Sequence, residues 1–155
     1  MSLTRKQIMA MEPGREMDAH IGKLVLNATP EIKWWVVNEE ETVIFEDFNY
    51  KSEAEEWLDE LAAMHEDHRI KIVRKELFCS YSGSMSAALE VEQVAIEKFG
   101  VSYAYALASV VGGTDIKDAD ELDDFVTRYS GNLLGMIHAT PEQRCKAALL
   151  AVLNL

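Results

Sequence analysis

The sequence predicts an α+β domain in which helices pack on a mixed, mainly antiparallel sheet, an α/β sandwich. Three observations lead there. Capped apolar stripes of helical period lie near both ends and in the middle of the chain. Two short runs after Ile32 instead collect β-branched and aromatic side chains. The 155 residues suit one domain, 1–155.

Thr4 can cap a short helix through Met11, and Pro13 suits the first turn of a second, where its missing N–H would be unpaired anyway. Met17, Ile21, Leu24 and Ala28 then recur at helical spacing. Lys33–Val37 and Thr42–Phe45 read as a hairpin around the acidic turn Asn38 to Glu41. Ser52 and Glu55 form a capping box ahead of Ala54, Trp57, Leu58, Leu61 and Ala62, and Arg69 to Phe78 reads as a third strand. Residues 32–78 thus make an inserted hairpin-helix-strand module. Ala87, Ala88, Val91, Val94 and Ala95 give the next helix, which Gly100 stops. Val101 to Val111 is a small apolar run read as a buried strand, with a helix as the alternative. Asp118 and Glu121 cap another helix; Leu133 to His138 reads as a strand. Thr140-Pro141-Glu142-Gln143 then opens a last helix with Cys145, Ala148, Leu149, Val152 and Leu153 inward.

Fifteen Lys and Arg stand against 27 Asp and Glu, a formal charge of −12. Nucleic-acid binding draws on cations that displace counterions from phosphate, so general attraction to DNA, RNA or anionic lipid is excluded. No apolar run reaches the roughly 20 residues that span a bilayer. The N-terminal residues lack signal-peptide character, so a cytoplasmic location is the expectation. Cys79 and Cys145 form no CxxC pattern, which fits reduced thiols.

Four constellations carry candidate chemistry. His65 and His68, three residues apart around Glu66-Asp67, share a helical face and are candidate metal ligands, although zinc needs more donors than two histidines. Asp115, Asp118, Asp120, Glu121, Asp123 and Asp124 concentrate carboxylates without the spacing of a calcium loop, and acids in a first helical turn also serve the helix dipole. Cys79 or Cys145 with His20 or His138 would pair a thiol with a base, but Cys145 sits on an apolar stripe and no nucleophile motif surrounds either thiol. Trp34 and Trp35 are candidate partner-binding residues; strand alternation sends them to opposite faces, one into the core and the other either covered by the rest of the domain or available to a partner. No catalytic residue and no cofactor are indicated.

Three stretches resemble the phage ABA sandwich domain proteins, a family of small proteins of phages and prophages. Thr4-Arg5-Lys6-Gln7-Ile8-Met9-Ala10-Met11-Glu12-Pro13-Gly14-Arg15-Glu16-Met17-Asp18 is similar to their opening helix. Tyr81-Ser82-Gly83-Ser84-Met85-Ser86-Ala87-Ala88-Leu89-Glu90-Val91 resembles the start of their central helix. Ala139-Thr140-Pro141-Glu142-Gln143-Arg144-Cys145-Lys146-Ala147-Ala148-Leu149-Leu150-Ala151 resembles their C-terminal helix. The resemblance implies a sandwich fold and a phage or prophage origin, and carries over no catalytic residue. The chain departs from it between Ile32 and Phe78 and between Gly112 and Gly131.

The expected function is that of a non-enzymatic phage or prophage accessory protein acting through protein–protein contacts, with a protein partner or as a homodimer. Two alternatives stand beside it: an acidic mimic of nucleic acid that occupies a host DNA-binding protein, and a metal-dependent enzyme using His65 and His68.

Overall fold

The computed structural model describes residues 3–38, 43–64 and 70–155. They form two compact units, Pro30–Leu77 and the combination of Met1–Thr29 with Phe78–Leu155. The class is α+β. Every strand among the described residues lies in Pro30–Leu77, and the other unit is helical.

In the helical unit, α1 (Arg5–Ala10) opens with a full capping box, in which Thr4 Oγ1 accepts from the Gln7 amide and Gln7 Oε1 accepts from the Thr4 amide. Helix α2 (Arg15–His20) starts later than Pro13 suggests. Gly14, at φ 141°, is its N-cap and donates its amide to Ser82 Oγ at 2.9 Å. The helix then widens into a π-helical turn, Ile21–Leu26, closed by Asn27 in the left-handed region. The i→i+5 bonding of that turn changes the phase of the stripe. Met17, Ile21 and Val25 point inward, whereas Leu24, expected there, is exposed. Gly22 sits in the same turn because a Cβ there would lie 2.2 Å from the Phe78 ring.

Helix α4 (Met85–Phe99) buries Ala88, Val91 and Ala95 and ends at Gly100, with φ 49°. The next residue begins α5 (Val101–Gly112), which corrects the expected strand over Val101–Val111. Tyr103, Ala106, Leu107 and Val110 recur at i, i+3, i+4 and i+7, and three alanines favour the helix; the β-branched tail pointed the other way. Asp118 caps α6 (Ala119–Arg128) through the Glu121 amide at 2.9 Å. Helix α7 (Ser130–Ile137) replaces the strand expected over Leu133–His138. Gly131 and Gly135 disguised it, since glycine is a poor helix former. Gly135 is required there, because its Cβ would come within 2.9 Å of Val111.

Helix α8 (Pro141–Leu153) is the axis of this unit. Thr140 and Gln143 complete its capping box, with Pro141 in the first turn. Every residue from Arg144 to Ala151 is buried, so the helix is covered all round rather than on one stripe. The alanines at 147, 148 and 151 present little bulk, so α1, α4, α5 and the π-helical turn can pack around it.

In Pro30–Leu77 the strands β1 (Glu31–Asn38), β2 (Val43–Phe48) and β3 (Ile70–Leu77) make an antiparallel sheet in the order β2-β1-β3. Register shifts on β1 after Trp34 and Val36 set Trp34 opposite Phe48 and Val36 opposite Phe45. Directly opposed residues share a face. Trp57 of α3 (Lys51–Met64) meets both phenylalanines there, with ring centroids 5.0 Å and 6.2 Å away. Helix α3 begins one residue before Ser52. Glu53 Oε2 accepts from the amides of Asn49 and Tyr50, and Glu55 pairs with Lys51 instead of joining Ser52 in a box. Ala54 is buried, and Trp57 and Leu58 are half-buried. The side chains of Leu61 and Ala62, and residues 39–42 of the expected turn, lie outside what is described.

Two glycines test this packing. Gly22→Ala and Gly112→Ala, whose Cβ atoms would meet the Phe78 and Phe125 rings at 2.2 and 2.5 Å, should each destabilise by about 1–3 kcal/mol. Urea unfolding of each variant reads the loss, and unchanged midpoints would refute the close approaches.

Candidate functional site

The expected metal ligands His65 and His68 lie outside the described residues. Of the six carboxylates after Gly113, Asp115, Asp118, Glu121 and Asp124 are engaged within the fold. Asp115 pairs with Arg5 at 3.0 Å and Lys117 at 3.1 Å, Glu121 accepts the Lys117 amide at 2.7 Å, and Asp124 pairs with Arg128. Among the described residues, no three of His, Cys, Asp and Glu gather closely enough to hold a metal ion.

The two tryptophans separate as alternation requires. Trp35 is 3% exposed, with the Lys75 ammonium 5.5 Å from its ring centre, and so cannot offer its ring to a partner. Trp34 is half-buried on the face of Phe48. Among the described residues the rings of Phe45, Phe48 and Trp57 cluster with one another, and Phe45 is exposed.

The thiols differ sharply. Cys79 is exposed, whereas Cys145 is fully buried. Burial, with the Asp18 carboxylate nearby, pushes the Cys145 thiol from its ordinary 9.0 to about 12. A thiol that keeps its proton is not a nucleophile at neutral pH. His20 is half-buried and His138 exposed. Asp18 serves the scaffold instead. Its carboxylate accepts the Ser82 amide at 2.8 Å, which fastens the turn at residues 81–84 to α2.

Two buried cations went unremarked in the sequence. Lys146 reaches the Met9 carbonyl at 2.9 Å and pairs with Glu142. Arg144 does more. Its guanidinium pairs with Glu92 of α4, donates from Nε to the Ala139 carbonyl at 3.0 Å, and from Nη2 to the Ile137 carbonyl at 2.9 Å. Glu92 also accepts the Tyr103 hydroxyl at 3.0 Å; burial and this carboxylate push the tyrosine's ionisation well above its ordinary range. One cluster therefore joins α4, α5 and α8 and holds the last carbonyl of α7.

What it holds is a helix with an apolar outer face. Looking down α7, Asn132, Gly135 and Met136 face inward and are half-buried or approach a neighbour closely. Leu133, Leu134 and Ile137 face outward, exposed by 46%, 53% and 57%, and Tyr129 just before them by 70%. Of the four large apolar side chains of α7, Leu133, Leu134 and Ile137 thus stand outward, and Met136 packs against the core. Neither α6 nor α7 buries a residue, and no charged residue lies between Tyr129 and Pro141. Met85, Leu89 and Ile96 on α4 also share one exposed face, one and two turns apart, so they form a more widely spaced apolar stripe. On α7 they are adjacent. Fully burying one Leu or Ile is worth about 1.5–3 kcal/mol, so this face leaves an appreciable gain unrealised.

No family model, no curated protein and no solved structure matches the chain. Among the described residues no helix is long and apolar enough to cross a membrane.

The thiol assignment predicts two measurements. A disulfide reagent should modify Cys79 quickly in the folded chain and Cys145 only after unfolding. Because the Cys145 pKa is raised on folding, its contribution to stability is complete below pH 9 and is lost as pH rises toward about 12. Tyr103, raised in the same direction, adds to the fall. Melting temperatures that hold constant across that window, or two equally fast thiols, would contradict the assignment.

Proposed function

We propose that this chain is a non-enzymatic, protein-binding component, and that the outward face of α7 is its contact surface. The single observation behind the reading is the orientation of that helix: Leu133, Leu134 and Ile137 stand in solvent while Asn132, Gly135 and Met136 face the core side. Clustered apolar groups with no charge among them suit a protein contact, where apolar centres are edged by polar rims. The tryptophan pair is a weaker basis, since Trp35 is buried and Trp34 half-buried. The similarity of the three quoted stretches to phage ABA sandwich domain proteins supports placing the chain among phage or prophage accessory proteins.

The test is association measured with the chain itself and with the products of the genes beside its own. At least one of these pairings should be lost, by about tenfold or more, in the double variant Leu134→Ser, Ile137→Ser, because residues central to an interface carry most of its affinity. Melting of that variant should not fall, since both side chains are exposed. Pairings that persist unchanged in it, or none at all, would overturn the reading.

A further inference from the structure

The chemistry around α7 narrows what can cover it. Helix α6 lies against α7 and carries Asp120, Glu121, Asp123 and Asp124 on its first two turns, with Asp118 at its cap and Arg128 as its one cation. From residue 118 to residue 138 there are five carboxylates and a single guanidinium. Asp118, Glu121 and Asp124 are already engaged by a backbone amide or by Arg128, while Asp120 and Asp123 have no ion pair among the described residues. Where α6 meets the start of α7, a cleft of about 310 Å³ is lined by Glu121, Asp124, Phe125, Arg128 and Tyr129, with Arg128 already paired to Asp124; Asp120 and Asp123 lie outside its lining. Carboxylates beside aromatic rings favour a Lys or Arg side chain, through both charge and cation–π attraction.

Resting on the protein-binding reading above, we infer that this surface docks a cationic amphipathic helix of another protein. Its apolar stripe lies on Leu133, Leu134, Ile137 and Tyr129, and its Lys or Arg residues face the carboxylates of α6. Leu133 and Ile137 stand one turn apart on α7, the spacing at which side chains of one helix form a ridge that packs against another helix. A second copy of the chain is the poorer occupant. It would bring another acidic α6 toward the interface in a molecule already at −12, and like charges facing each other suppress association.

The test uses a labelled amphipathic peptide of Leu and Lys, a Leu/Glu peptide of the same pattern, and sedimentation of the chain alone. The Leu/Lys peptide should bind the wild-type chain, and the Leu/Glu peptide should not. Leu134→Ser with Ile137→Ser should weaken binding about tenfold or more. Asp120→Asn with Asp123→Asn should weaken it less and flatten its salt dependence. Leu/Lys binding that the apolar double variant leaves intact is general attraction to an acidic chain, and overturns the inference. Equal binding of the Leu/Glu peptide, or self-association lost in the apolar variant, overturns the cationic partner while keeping the protein-binding reading. Binding of neither peptide, with no self-association, sinks both.

Discussion

The ion pair between Arg144 and Glu92 is the constraint from which the helical unit is organised. Both side chains are largely withdrawn from water, at 8% and 15% exposure. Removing one partner of such a pair typically costs about 3–5 kcal/mol, because the other charge is left buried and unpaired. Here the desolvation of the two charges is offset by hydrogen bonds from all three guanidinium nitrogens. The guanidinium satisfies two carbonyls besides the carboxylate, and the carboxylate also takes a tyrosine hydroxyl. The pair fixes the register of α8 against α4 and α5, since a slide of one residue would part these groups. It also reaches past α8 to the end of α7.

That reach connects the core to the surface. Helix α7 has eight residues, contains two glycines and buries none of its side chains, so its own packing does little to hold it. Isolated helices of this length are unstable in water. Its position is set from its ends and its inner side. Arg144 binds the carbonyl of Ile137, Asn132 Nδ2 donates to the carbonyl of Phe125 at 2.6 Å, and Gly135 permits approach to Val111. Because these anchors use polar groups and a glycine, the apolar side chains are free to turn outward.

Much of the scaffold was legible in the sequence because it is written locally. The Thr4 cap and the Thr140–Gln143 box formed as expected, and Gly100 ended α4. The hairpin of Trp34 and Phe45 and the third strand paired as an antiparallel sheet. What escaped depends on tertiary context. Val101–Val111 and Leu133–His138 carry apolar runs short enough to suit either helix or strand, and packing against neighbours chose the helix. The Leu24 to Val25 switch comes from a π-helical turn that no apolar spacing announces. Arg144 and Lys146 carried no signal in the sequence, because their partners Glu92 and the Met9 carbonyl are distant along the chain. The outward face of α7 was missed for the same reason as the helix: a strand alternates sides, so its leucines could not be assigned to one surface.

Amide hydrogen exchange compares the order of α7 with that of α8 in one experiment. In the wild-type chain the amides of His138 and Ala139, bonded to Leu134 and Met136, should be protected. In Arg144→Gln, protection over residues 130–139 should disappear before that of α8 does, because the side chain that bound Ile137 and Ala139 has gone. Equal protection of α7 in both proteins would contradict the claim that this buried guanidinium holds the surface helix in place.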